Sequence, residues 1–486
     1  MAKRNGGIIG PANTPTASVA AGVWRLRDAF NSIKNGTWPL TRGVATNSLR
    51  FNIGSSDYLS RTMSSTGSSR TTFTFSTWIK LCELTSNNVI FSSGDSSSFF
   101  RVFVGTTSRI GIEDFNSVSY NINWSTPTTG ILLRDPSAWY HLVVAIDTTQ
   151  ATASNRVKIY LNGSDISSNF TQSNSPSQNA QLQVNNNNTM YFGYSVYQTL
   201  YFGGYQSEVH FVNGQQLDAT SFGASNSSGV WYPIAYQGTW GTNGFYLKFA
   251  NSASLGTDSS GNNNTWTVNN LTSVDQSTDT ELNNFCTINP LDVAPSQTFT
   301  DGNLTCSYGA TNVSNRSTFA LDTGKWYWEM KVTSITGGGI LTGITDSTQS
   351  LSTWVGATTY SYGYYSTNGQ KYNNGSGSAY GNSYTNNDII GIAFDATNGK
   401  IYFSKNGTFQ NSGNPATDTN PAFTGLTGRL FFPATSGYSG DAISYNFGNP
   451  SYSANGYTDA AGYGNFSYAV PSGYYALCTA NLNTYG

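Results

Sequence analysis

The chain has 486 residues and 52.3 kDa, enough for two or three domains with cores of their own. Charged residues make up 10 % and aromatics 14 %, against roughly 25 % charged in average soluble proteins, with Gly, Ser, Thr and Asn filling the remainder. A net charge of −2, with no basic run beyond Lys3-Arg4, excludes the electrostatic footprint of a nucleic-acid binder.

This composition fits a β-rich extracellular or virion surface protein better than a cytosolic enzyme. The N-terminus lacks the apolar core of a signal peptide, and no run approaches the roughly 20 apolar residues of a membrane span. No membrane insertion is expected.

Residues 1–45 read as a leader without a domain of its own. Gly6 to Pro11 is extended, and the pattern predicts a short helix from Val23 to about Ile33. Val23, Leu26, Phe30 and Ile33 share one side, with Trp24 beside them, and so short a stripe cannot be buried alone. These five residues are the candidate contacts to a partner subunit.

From Val44 the period changes to two. SLRFNIGSSDYLSR, TFTFSTWIKL and NNVIFSSG are strands bounded by Ser, Asn and Gly. WYHLVVAIDTTQATASNRVKIYLNG, Trp139 to Gly163, is a hairpin closed by a polar loop from Asp147, and its strands have both faces covered. Asn162-Gly163 ends it with a tight-turn signal. Further strands are Met190 to Gly193 and Gly204 to Val212. The ordered blocks RFNIGSSDYL, TFSTWIKL, WYHLVVAID, KIYLNG and GGYQSEVHFVNGQQL resemble the concanavalin-A-like (laminin-G-type) jelly roll. The resemblance implies two antiparallel sheets face to face, with ligands at loops along one rim. This domain is assigned to residues 46–250, with the aromatic stretch from Gly229 packing on it as strands.

Residues 251–303, rich in Asn, Ser and Thr, read as a connector, either a linker or an ordered meander. TGKWYWEMKV then places Trp326, Trp328 and Met330 on one face and Tyr327, Glu329 and Lys331 on the other. WVGATTYSYGYYSTNGQKYNN, the hairpin DIIGIAFDATNGKIYFSKNG, LFFPATSG and ISYNFG follow. In this hairpin Asn398-Gly399 is read as a two-residue turn with positive φ. These blocks resemble the SPRY domain, a β-sandwich used in protein recognition, over residues 304–450. Residues 451–486 form a Tyr/Gly-rich end segment. The expected fold class is all-β: two antiparallel sandwiches behind an extended leader.

Catalytic groups are scarce. His141 and His210 both fall inside strands and beside no nucleophile-type turn. A glycosidase needs two facing carboxylates. Glu208, two residues from His210, lacks a partner acid in sequence, and Glu113-Asp114 point to opposite faces. The expectation is no enzyme. Cys82, Cys286, Cys306 and Cys478 are too scattered for a disulfide framework. Buried free thiols are expected, with a Cys286–Cys306 pair as the alternative. No cofactor is expected. Asp57, Asp95, Asp114 and Asp135 are the loop acids available for a rim Ca²⁺, and turn roles are the simpler reading.

The positive signal is aromatic. Trp354, Tyr365, Tyr372, Tyr380 and Tyr384, in a Gly/Asn/Ser-rich stretch, are the candidate glycan-binding residues, since sugar C–H faces stack on rings.

Leader, lectin-type sandwich and SPRY-type sandwich together resemble virion fibre or appendage proteins of tailed phages. That resemblance implies a tail-fibre or spike subunit assembled in the host cytoplasm. It would attach to other virion proteins through residues 1–45 and bind a host surface glycan or protein, as a homotrimer. The alternatives are a capsid decoration protein without receptor role and, behind it, a glycan hydrolase.

Overall fold

Two sandwiches arise because each long strand carries apolar residues on alternate positions, and two such faces must close on each other to leave water. The computed structural model describes residues 44–62 and 69–486. The leader contacts Val23, Trp24, Leu26, Phe30 and Ile33 lie outside the described residues. The fold is all-β, with two antiparallel sandwiches.

In the first sandwich one sheet runs Ser164–Asp165, Val157–Leu161, Trp139–Asp147, Thr72–Leu81, Gly204–Asn213, Ser48–Phe51 and Gln276–Ser277, with Phe245–Leu247 also pairing to Gly204–Asn213. The facing sheet runs Thr171–Asn174, Tyr120–Ser125, Ile110–Asn116, Ser98–Val104, Asn88–Gly94, Thr189–Phe192, Tyr58–Thr62 and Thr267–Asn269. Phe75, Phe91, Phe100, Leu142, Val144 and Phe211 meet in the core between them. Phe75 stacks on Phe91 with ring centroids 4.9 Å apart.

The stretch 251–303 is no free linker. Thr267–Asn269 and Gln276–Ser277 edge the two sheets of the first sandwich, whereas Ile288–Val293 and Gln297–Thr300 edge those of the second. The second sandwich centres on Lys325–Ser334, Ile389–Asp395 and Ala442–Asn446 in one sheet and on Phe432–Gly437, Leu341–Thr345 and Ser361–Tyr365 in the other. Trp326, Trp328 and Met330 face its core, while Tyr327 lies under the end segment with Phe466 and Tyr474.

Turn chemistry separates three Asn-Gly pairs. Asn162 and Gly163 take φ of 47° and 84° and Asn406 and Gly407 take 49° and 79°, closing two-residue turns. Asn398-Gly399 does not. Asp395 pairs with Lys400, so residues 396–399 form the loop, and only Gly399 has a positive φ, 64°. Asp395 Oδ1 and Oδ2 accept from the Asn398 backbone N–H and Nδ2, both at 2.9 Å, which makes the longer turn self-supporting.

Tryptophans in the stretch 229–249 have partners inside their own chain. Trp240 is buried and Trp231 half-buried against Val143, Val212 and Tyr246 on the outer face of the first sandwich. Tyr475 stacks on Tyr485 at 3.6 Å.

Candidate functional site

The outer face of the sheet holding Ser98–Val104 is organised around one arginine. In SFFRVFV the inward positions Phe100 and Val102 are core, so Phe99, Arg101 and Phe103 stand on the opposite face. Strand register lines up Asn123, Glu113, Arg101, Ser92, Tyr191 and Ser60 across neighbouring strands. Arg101 Nε donates to Glu113 Oε2 at 2.7 Å and Nη1 to Gln198 Oε1 at 3.2 Å.

Aromatic rings enclose the guanidinium. Arg101 Cζ lies 4.6 Å from the Phe103 ring centroid, 4.9 Å from that of Tyr197 and 5.4 Å from that of Phe99. Gly111 opposite Phe103 is required, because a Cβ there would come within 2.3 Å of the ring. Tyr197 stacks on Phe99 at 4.2 Å. The neighbouring Gln198 and Thr199 have φ of 65° and 49°, strained conformations for residues with a Cβ and most of all for β-branched Thr. Such strain persists where surrounding contacts hold it and is common at ligand clamps.

Beside this centre Tyr58, Tyr191, Tyr194 and Tyr201 form one ring cluster with centroid separations from 4.9 to 6.5 Å. All four are half-buried. Burial raises the hydroxyls of Tyr191 and Tyr194 above the usual phenol range, so they stay neutral donors and acceptors. Arg101 is itself buried under these rings and holds them in place, so the face offers flat rings, the Glu113 carboxylate, hydroxyls and amides, the groups that hold a sugar by stacking and hydrogen bonding.

Of the aromatic residues expected from sequence on the second sandwich, Trp354, Tyr365 and Tyr372 gather on an outer face. Tyr372 meets Trp354 at 5.5 Å and Tyr365 at 5.8 Å, both edge-on. Tyr380 and Tyr384 do not join them and are corrected to core positions, 8 % and 3 % exposed. Tyr384 OH donates toward Ile340 O and Tyr364 O at 2.9 and 2.8 Å, and Tyr380 OH accepts from Phe403 N at 3.1 Å. Their hydroxyls serve the backbone, and a glycan cannot reach them.

The two histidines are packed. Trp231 Nε1 donates to His141 Nδ1 at 3.0 Å, which leaves Nε2 to donate to Ser76 Oγ at 2.9 Å. Burial, with His210 second, pushes His141 down to about 3, so it is neutral. Glu208, at φ 49° in a bulge of Gly204–Asn213, accepts from Tyr246 OH at 2.6 Å, lies 3.2 Å from His210 Nε2 and takes the Ala45 N–H. An acid distant in sequence, Glu281, is its neighbour in the fold. Burial first, and then the charge of Glu208, pushes Glu281 up to about 8, and both Glu281 oxygens are buried. Neither carboxyl faces solvent. Ala45 roofs Glu208, so in this conformation the pair cannot meet a substrate.

The acids considered for Ca²⁺ are occupied locally. Asp95 and Asp135 close turns on Ser97 and Ser137, each through a 2.8 Å backbone bond, and Asp57 accepts from Asn52 N at 2.9 Å. Asp114 is not in a loop but inside Ile110–Asn116, accepting from Gln183 N at 2.7 Å. No metal-type group of three His, Cys, Asp or Glu occurs among the described residues. All four cysteines are free and buried, so Cys286 and Cys306 do not pair.

Residues 51–221 match the family described as the concanavalin A-like lectin/glucanases superfamily, and residues 325–450 match the SPRY domain family. Similar solved structures include the SPRY domain of human HERC1, at 18 % identity over 32 % of this chain and 96 % of that one, TM-score 0.27. The TRIM65 PSpry domain is similar at 14 % identity over 33 % of this chain and 91 % of that one, TM-score 0.27. A human SPRY domain follows at 20 % identity over 29 % of this chain and 90 % of that one, TM-score 0.24. No curated protein matches the chain. The chain carries a concanavalin A-like, laminin-G-type domain followed by a SPRY domain.

Proposed function

We propose that the chain is a non-enzymatic binding protein of a phage virion, a tail-fibre or spike subunit that holds host surface glycans on the Arg101 face of its first sandwich. One observation carries the binding reading: an arginine, a glutamate and at least seven aromatic rings converge on the outer side of a lectin-type sheet under a strained cover segment. The Trp354/Tyr365/Tyr372 patch is a second, smaller contact. The low charge and the phage-like leader support the virion part, in which residues 1–45 engage other virion proteins. Single sugar sites bind weakly, and a homotrimer would multiply them by effective concentration.

The test is binding of purified protein to host envelope polysaccharide, comparing wild type with Tyr191→Ala, Arg101→Ala and Trp354→Ala. At least a tenfold loss is expected for the first two and a smaller one for the third. Unchanged binding by folded Tyr191→Ala and Arg101→Ala overturns the site. Location of the chain on the head lattice rather than the tail overturns the appendage assignment.

A further inference from the structure

Where the sandwiches meet, Lys80 leaves Thr72–Leu81 and ends beside Asp279, both side chains 0 % exposed, with Asn284 half-buried at the rim of the site. Nζ lies 2.8 Å from Asp279 Oδ2, 2.7 Å from Asn284 Oδ1 and 3.3 Å from Phe285 O. Trp139 Nε1 fixes the other Asp279 oxygen at 3.0 Å, and Asn284 Nδ2 donates to Ser137 O at 2.6 Å. The Tyr205 ring packs beside the amine, 5.6 Å from Nζ to centroid. An ion pair needs only Lys80 and Asp279. It does not need the Asn284 amide as a third partner, with its carbon one bond behind the oxygen that Nζ touches.

We propose that Lys80 and Asn284 form an intramolecular isopeptide bond, with Asp279 moving the proton. In a dry site the separated charges are costly, and passing one proton from the ammonium to Asp279 leaves a neutral amine and a carboxylic acid. A desolvated lysine amine is a nucleophile. Nζ attacks Asn284 Cγ, and Asp279 hydrogen-bonds the oxygen as it gains charge. A second Nζ proton passes to Nδ2, relayed by Asp279, and the Cγ–Nδ2 bond breaks. Ammonia leaves beside Ser137 O, and an Nζ–Cγ amide remains hydrogen-bonded to protonated Asp279. One ammonia is lost, no electrons are transferred, and no co-reactant is needed. The product ties the middle of the first sandwich to the segment entering the second, a closure between positions 204 residues apart.

Intact-protein mass spectrometry of the full chain, with tryptic mapping, decides the matter. The expected mass is one ammonia below that of the sequence, with the Lys80 and Asn284 peptides recovered as one joined species. Asn284→Ala and Asp279→Asn should each restore the mass calculated for the variant and separate the peptides. Should either variant fail to fold, the wild-type mass still decides. Folded wild type at full sequence mass overturns the proposal. So does an ammonia loss that maps to an Asn-Gly succinimide without joined peptides.

Discussion

Arg101 spends its charge on rings and one carboxylate instead of on water. Its side chain is 7 % exposed and that of Glu113 14 % exposed, so the pair is screened less than a surface ion pair. Glu113→Gln keeps the shape and removes the charge, and should lower stability by about 1 kcal/mol in denaturant titration. Glu281 offers a sharper test. Its carboxyl is raised from 4.5 to about 8 by burial and by Glu208, so the folded state keeps a proton that the unfolded state has lost. Its contribution is therefore fully present below pH 4.5 and falls as pH rises through about 8. Glu281→Gln should remove this fall and gain on the order of 2 kcal/mol at pH 8, read as a flatter melting temperature between pH 5 and 9. The thiols respond differently. Burial pushes Cys82 up to about 12 and Cys478 up to about 11, and it raises Cys286 and Cys306 as well. A thiol reagent should label none of the four in the native protein and all of them after unfolding.

At the scale of elements, the end segment is held by two buried acids. Glu329, on the outer side of Lys325–Ser334, accepts from Ser467 N and Tyr468 N at 2.9 Å each and from Asn446 Nδ2 at 3.1 Å. Asp459 accepts from Ala476 N at 2.9 Å and Asn481 Nδ2 at 2.7 Å, which fixes the start of the helix Thr479–Tyr485. Glu329→Ala leaves those donors buried without an acceptor, and should cost about 2–4 kcal/mol. Limited proteolysis should then cut between residues 451 and 470 before either sandwich opens.

At the scale of the molecule, the two sandwiches meet through polar contacts. Arg50 donates to Pro450 O at 3.2 Å, Asn52 Nδ2 to Asp301 Oδ1 at 2.9 Å and Tyr205 OH to Gly302 O at 3.1 Å. Together with Lys80 and Asp279 these bonds give the junction a single geometry, and the chain should unfold in one transition by calorimetry. Deleting residues 1–43 should leave that transition within a few degrees and abolish incorporation into particles. The cut stops there because Ala45 is buried and its N–H belongs to Glu208. Normal incorporation of the shortened chain would remove the leader from the attachment role.

Period-two patterning was enough to read the two sandwiches, the division of Lys325–Ser334 into two faces, and the Asn162-Gly163 turn, because each depends on neighbours within a few residues. Other features depend on which distant strands lie side by side. Tyr380 and Tyr384 look like surface residues in a polar stretch, yet the chain turns them onto Phe403 and Ile340. Glu281 meets Glu208, and Asn284 meets Lys80, across separations no local pattern encodes. The Arg101 face was half legible. Phe99, Arg101 and Phe103 alternate in SFFRVFV, but Glu113, Tyr191 and Tyr197 join them only through strand register and a strained segment. Burial and pairing are properties of the closed sheets, and side-chain chemistry at these sites follows from them.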